Sequence, residues 1–188
     1  MRIVAGALRG RPLVAPKGQS TRPTADRARQ ALFNVLEHAA WSVAFEGQRA
    51  MDLFAGSGAL GLEALSRGAA FCLFVEKGPA GAEAIRANIQ SVSLQHRGRV
   101  LRSDAATLGA RTGRDGAAFD LAFLDPPYGA GLGEAALARL IAGEWLAPGA
   151  LVVLERGAAD HPRPTPGFEV LDERTWGAAA VAFLRRSG

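Results

Sequence analysis

A glycine-rich turn set between an apolar run and a helical pattern limits this chain more than any other stretch. It reads Asp52-Leu53-Phe54-Ala55-Gly56-Ser57-Gly58-Ala59-Leu60-Gly61. Ala50, Met51, Leu53 and Phe54 have the character of a buried strand end. Gly56, Ser57 and Gly58 suit a tight turn. Over 59–67 the apolar residues Leu60, Leu62, Ala64 and Leu65 follow helical spacing. Strand, glycine turn and helix in this order form the unit that cradles an adenine-containing cofactor in doubly wound sheets. The expected class is α/β with a mostly parallel sheet.

The spacing of Gly56, Gly58 and Gly61 also fits a dinucleotide fingerprint, so the glycines alone leave the ligand open. Asp52 tilts the reading. A carboxylate four residues before the first glycine would repel a pyrophosphate lying on the turn. It would attract positive charge, and S-adenosylmethionine carries an ammonium and a sulfonium and no phosphate. The Asp-x-Phe-x-Gly-x-Gly form resembles the first motif of the S-adenosylmethionine-dependent methyltransferases. The plainer reading of Asp52 is a loop cap.

The remaining pattern alternates strand and helix. Residues 50–54, 71–75, 100–102, 119–124 and 151–154 are predicted strands, with helices over 79–92 and 134–142. Residues 168–174 and 180–184 form a closing antiparallel pair around Trp176 and Gly177. Ahead of the sheet, 3–7 against 12–15 read as an irregular β-hairpin and 17–20 as a turn. A helix follows, with Thr24 as its N-cap, and ends near His38. Residues 157–167 read as a Pro-rich loop. A chain of 188 residues with no long polar linker divides into a basic hairpin or arm over 1–20 and one domain over 21–188.

Charge is unevenly placed. Before Ala31 stand Arg2, Arg9, Arg11, Lys17, Arg22, Arg27 and Arg29, against Asp26 alone. Such an arm suits an anionic partner, nucleic acid being the usual one; a solvated arm in an Arg-rich chain is the alternative. The single Cys72 lies in an apolar run and reads as a buried thiol, compatible with a reducing cytoplasm. His38, His96 and His161 show no metal-ligand spacing, and no metal is expected. No apolar run approaches the ~20 residues of a membrane span.

The first four sheet strands each end at or beside an acid: Asp52, Glu76, Asp104 and Asp125. Ligands of doubly wound sheets sit beyond those strand ends. Phe54, Ala55, Gly56, Ser57 and Gly58 are the expected cofactor loop. Glu76, with Lys77 beside it, is spaced to accept ribose hydroxyls, a role shared with NAD enzymes. Asp104 can accept from an adenine amino group while the Ala105 N–H donates to a ring nitrogen; it can equally cap the turn over 105–108. Asp125-Pro126-Pro127-Tyr128 is more specific. The prolines fix the backbone and remove two donors. The Asp125 carboxylate and the Pro126 carbonyl can then accept both protons of an exocyclic amine, and Tyr128 can stack on the base that carries it.

Asp125-Pro126-Pro127-Tyr128 is a variant of the Asn/Asp-Pro-Pro-Tyr/Phe motif of methyltransferases acting on amino nitrogens of bases. Arg22-Pro23-Thr24-Ala25-Asp26-Arg27, followed by Leu32-Phe33-Asn34, resembles the N-terminal signature of one family, the bacterial 16S rRNA guanine-N2 methyltransferases (the RsmD family). Met1-Arg2-Ile3-Val4-Ala5-Gly6 with Arg9-Gly10-Arg11 is similar to its opening, and residues 52–68 to its cofactor loop. The resemblance spans almost the whole chain and is weaker over 104–119 and 157–168. It implies a class I, Rossmann-like methyltransferase fold with a mostly parallel seven-stranded sheet and an antiparallel C-terminal strand. It further implies S-adenosylmethionine as donor, S-adenosylhomocysteine as product, and a guanine of 16S rRNA as target, free or in a small-subunit assembly intermediate. Arg9, Arg11, Arg22, Thr24 and Arg27 become the expected RNA contacts, Asp125 to Tyr128 the catalytic group, and a cytoplasmic monomer the expected form. The competing readings are an adenine-N6 methyltransferase acting on DNA or RNA, an NAD-dependent oxidoreductase, and a non-catalytic RNA-binding module. The oxidoreductase leaves Asp52, Asp104 and the Pro-Pro motif without a role.

Overall fold

Apolar runs with strand-like residues become the centre of a sheet, and their alternation decides what packs on each side. In the computed structural model, residues 1–16, 23–42, 44–160 and 163–188 are described, 23–25 by their backbone alone. The elements are α1 (Pro23–His38), β1 (Arg49–Leu53), α2 (Ala59–Ser66), β2 (Phe71–Val75), α3 (Pro79–Ser91), β3 (Gly98–Leu101), β4 (Phe119–Leu124), α4 (Leu132–Ala142), β5 (Leu146–Gly157), β6 (Phe168–Trp176) and β7 (Ala179–Arg186). Short 3-10 turns lie at Ala105–Thr107 and Gly113–Asp115. The described strands form one seven-stranded sheet in the order β3-β2-β1-β4-β5-β7-β6. β1 to β5 pair in parallel, and β7 runs antiparallel between β5 and β6.

Successive strand residues face opposite sides of a sheet, and the core divides accordingly. Cys72, Phe74, Leu121, Phe123, Leu151 and Val153 face α1, α2 and α3. Leu73, Val75, Ala122, Leu124, Val152 and Leu154 face α4. Asp52 shares the first face, since it pairs with Phe74 and Phe123 across the neighbouring strands. Glu155, paired with Val181, lies on that face too. Among the described residues no helix is long and apolar enough to cross a membrane.

The order of strands and helices matches expectation, with β2 and β4 at their expected bounds. Three local readings are corrected. The expected hairpin over 3–7 and 12–15 is shorter and shifted: Arg2 bridges Pro12 in antiparallel fashion, and Ile3 N–H donates to the Arg11 carbonyl at 3.0 Å, Gly10 N–H to the Ile3 carbonyl at 2.8 Å and Leu13 N–H to the Met1 carbonyl at 3.0 Å. Beyond Ile3 the donors are drawn elsewhere: Val4 and Ala5 donate to the Glu63 carboxylate at 2.8 and 2.9 Å, and Leu8 donates to the Ser66 hydroxyl at 3.0 Å. Thr24 is not the N-cap, because the helix already includes Pro23; proline's fixed φ and missing N–H suit the first helical position. β5 begins at Leu146, not 151, and a register shift between Phe119 and Leu121 absorbs its irregular start. The turn expected over 17–20, Arg22, and the Thr24 side chain lie outside what is described.

Ile3 and Leu13 are buried in the core. Residues 1–16 therefore pack on the sheet domain rather than standing away from it. Glu63, fully buried in α2, receives their backbone donors and is balanced by Arg67 at 2.9 Å and Arg29 at 3.6 Å.

Candidate active site

Beyond the carboxyl ends of β1, β2 and β4 the chain leaves a cavity of about 730 Å³. Its floor is the glycine turn. Phe54 leaves β1 at φ 59, in the left-handed region that a bulky residue rarely enters, and strain of this kind concentrates at functional sites. Gly58, at φ 77, is the N-cap of α2 and has no side chain to offer it. Asp52 supplies the missing cap from β1: its Oδ2 accepts from the Gly61 N–H at 2.9 Å. Gly61 cannot be larger, for a Cβ there would lie 2.4 Å from the Phe74 ring and 2.6 Å from the Cys72 sulfur. Cys72 is fully buried as expected.

The cap reading of Asp52 is thus realised, and the same carboxyl also lines the cavity. It is 1 % exposed. Desolvation outweighs the Gly61 hydrogen bond and, with the charges of Asp125 and Glu76, pushes it up to about 8. Burial thus favours the neutral form of this carboxyl far more than in an exposed aspartate.

The other expected cofactor residues meet here. Phe54, Ala55, Gly56, Ser57, Glu76, Lys77, Asp104, Ala105 and Asp125 all line the cavity; Gly58 stands behind the turn as its helix cap. Glu76 braces the turn, accepting from Gly56 N–H at 2.8 Å and from Gly78 N–H at 2.6 Å. Each of its oxygens retains a further acceptor position. Asp104 caps its 3-10 turn through Ala106 N–H at 3.0 Å and lies 3.4 Å from the Lys77 ammonium. Asn88 ties the turn to the N-terminal segment by donating to the carbonyls of Ser57 and Val14, each at 2.9 Å.

Asp125, Pro126, Pro127 and Tyr128 form the opposite wall. Asp125 opens to solvent at the mouth, with protein packed around its other sides. That desolvation first, and the Glu155 charge second, push its carboxyl up to about 7. Tyr128 is 48 % exposed. Its hydroxyl donates to Glu155 Oε1 at 2.5 Å, and burial and that carboxylate together raise its pKa.

Several lining residues were not anticipated from the sequence: Glu155, Trp176, Arg29, Met1 and Ala15. Glu155 follows the apolar run 151–154 within β5, the same signal that marked the four earlier acids. Arg29 is buried, bonded to Asp26 at 2.9 Å and to the Arg2 carbonyl; it locks α1 to the N-terminal segment at the cavity rim. Of the expected RNA contacts, Arg9, Arg11 and Arg27 are exposed, outside the cavity lining. Among the described residues none of the three has an acidic partner within 4.0 Å, and no group of three His, Cys, Asp or Glu is arranged to hold a metal.

The described lining carries five carboxyl groups, Asp52, Glu76, Asp104, Asp125 and Glu155, against Arg29 and Lys77. This balance disfavours a phosphate-bearing ligand and favours one with hydroxyls, amines and positive charge. The model of a family described as conserved hypothetical protein 95 matches residues 1–185. Ribosomal RNA small subunit methyltransferase D of Escherichia coli (strain K12) is 39% identical over 187 residues, covering 99% of this chain and 90% of that protein. The Haemophilus influenzae protein of the same name is 35% identical over 94% of this chain and 89% of its own length. A solved structure described as "Putative methyltransferase yhhF from Escherichia coli" superposes with a TM-score of 0.81 at 32% identity, covering 100% of this chain and 98% of that one.

Proposed function

The chain belongs to the conserved hypothetical protein 95 family and has the Rossmann-like methyltransferase fold; from that premise we propose that it methylates small-subunit rRNA, using S-adenosylmethionine, at the exocyclic N2 of a guanine. The observation that carries the reading is the meeting of Asp125-Pro126-Pro127-Tyr128 with an acid-rich cavity on the glycine turn.

The cavity's residues fit the donor. Glu76 and Asp104 offer acceptors to ribose hydroxyls and an adenine amino group, and the buried Asp52 carboxyl offers a latent negative charge to the cationic end. When bound, S-adenosylmethionine supplies a methyl group already activated by its sulfonium. What remains for the protein is alignment and charge.

Asp125 and the Pro126 carbonyl accept the two amino protons of the base, which turns the nitrogen lone pair out of conjugation with the ring. The ionised Asp125 stabilises the positive charge that develops on that nitrogen, and the surplus amino proton then passes to Asp125 or to water, leaving neutral N2-methylguanine. Tyr128 stacks on the base, which must leave any helical stack to enter the cavity. Arg9, Arg11, Arg22 and Arg27 hold backbone phosphates, which position RNA without reading its sequence, and Thr24 is a further RNA contact in this reading.

The test is transfer of labelled methyl from S-adenosylmethionine to small-subunit rRNA by the purified protein. Label in the RNA, absent with Asp125→Ala, supports the reading. Tight binding of NAD with no binding of S-adenosylmethionine would end it.

A further inference from the structure

Asp125 and the Pro126 carbonyl can hold any exocyclic amino group, adenine N6 included, so the choice of base must be made elsewhere. We propose that Glu155 makes it, by accepting the N1–H of the target guanine. This rests on the guanine-N2 reading above.

Glu155 is placed for the task. β4 and β5 pair in parallel with Leu124 opposite Leu154, so Asp125 and Glu155 are the next residues along neighbouring strands, about 5 Å apart in backbone spacing. Glu155 lines the main cavity and also a smaller pocket of about 250 Å³. Pro126, Pro127 and Tyr128 line both as well. The Glu155 carboxylate lies within hydrogen-bond distance of Tyr128, in the wall that a base stacked on that ring would face.

Its bonding leaves capacity for that edge. Oε1 takes the Tyr128 hydroxyl at 2.5 Å, which uses one of about four lone-pair positions of a carboxylate. Among the described residues no Lys, Arg or His nitrogen lies within 4.0 Å of it. An unpaired carboxylate beside Asp125 is an unfavourable arrangement in the free protein. A ligand with several adjacent donors relieves it.

Guanine has that edge: the N1–H lies directly beside the 2-amino group. Three acceptors, Asp125, Pro126 and Glu155, then meet three N–H donors. Adenine presents a bare lone pair at N1, which would face the Glu155 carboxylate with nothing between them. Sites built on hydrogen bonds to a substrate reject analogues lacking the group far more strongly than shape alone does.

The base 2,6-diaminopurine separates these features, for it keeps the 2-amino group and has a bare N1. An rRNA fragment is made with guanine or 2,6-diaminopurine at the mapped target position, and kcat/KM is measured on both. The native enzyme should prefer guanine by at least ~10²-fold. Glu155→Gln, whose amide can donate to a bare N1, should reduce that ratio at least ~10-fold, with diaminopurine retained or improved. Tyr128→Phe removes the hydroxyl bond to Glu155 and should lower both substrates together. Equal use of the two RNAs by the native enzyme overturns the proposal, as does an equal loss on both in Glu155→Gln, which would leave Glu155 only positioning Tyr128. A native product other than N2-methylguanosine on the guanine RNA overturns the parent reading, and the proposal with it.

Discussion

Replacing Asp52 with Asn separates what this carboxyl costs the fold from what it does for the cavity. Asn has the same shape, and its carbonyl can keep the 2.9 Å bond from the Gly61 N–H. What it cannot do is ionise. In the native protein the Asp52 carboxyl sits at about 8, against 3.8 for an unperturbed one. The folded chain thus holds this proton more tightly than the unfolded chain. The stabilisation is complete below about pH 4 and is lost as pH rises through about 8, reaching on the order of 4 kcal/mol at pH 7. The Asn variant escapes that loss. Urea unfolding near pH 4 should give native and variant similar stability. At pH 7 the variant should be more stable by a few kcal/mol, with Tm higher by roughly 10 °C for a chain of this size. Calorimetry should show the opposite for function: S-adenosylmethionine binds the variant ~10–100-fold more weakly, as expected for loss of a charged hydrogen-bond partner. Binding to the native protein near pH 7 should release a proton as Asp52 ionises. Parallel pH profiles for the two proteins, or unchanged affinity in the variant, would refute this account of Asp52.

Asp125 must be ionised to face the developing cation, so turnover should rise with pH through about 7 and then level; Asp125→Ala should cut it at least ~10²-fold with little change in cofactor affinity, checked by single-turnover kinetics and calorimetry. Glu76→Ala strands the Gly56 and Gly78 N–H groups and removes an acceptor, so S-adenosylmethionine binding should weaken by about 1–3 kcal/mol, and by less in Asp104→Ala. Replacing Arg9, Arg11 and Arg27 together by Ala should lower rRNA affinity and flatten its log–log salt dependence by roughly 2–3, leaving cofactor affinity intact; an unchanged slope would remove these residues from the RNA surface.

Much of the fold was legible because the strands that carry it are buried on both faces. Residues 71–75 and 119–124 are nearly uninterrupted apolar runs, and both become strands at those bounds. β5 was read short because Pro148 and Gly149 look like a turn, whereas the sheet takes them up with a register shift. The N-terminal hairpin stops at Ile3 for a reason no local pattern shows: the next donors are claimed by Glu63 and Ser66, roughly sixty residues away. Glu63 did leave a trace, as a lone acid among Leu62, Ala64 and Leu65. The gathering of Asp52, Glu76, Asp104 and Asp125 on one cavity followed from strand ends alone. Glu155 carries the same mark within β5, directly after the apolar run 151–154; that position was visible, and its contact with Tyr128 was not.

The most direct test of the central claim is the identity of the methylated nucleoside. Small-subunit rRNA is incubated with the purified protein and labelled S-adenosylmethionine, digested completely, and its nucleosides are separated and weighed by mass spectrometry. The account predicts that the label is found in N2-methylguanosine alone. Label in N6-methyladenosine, 5-methylcytidine or a 2′-O-methyl nucleoside would contradict it.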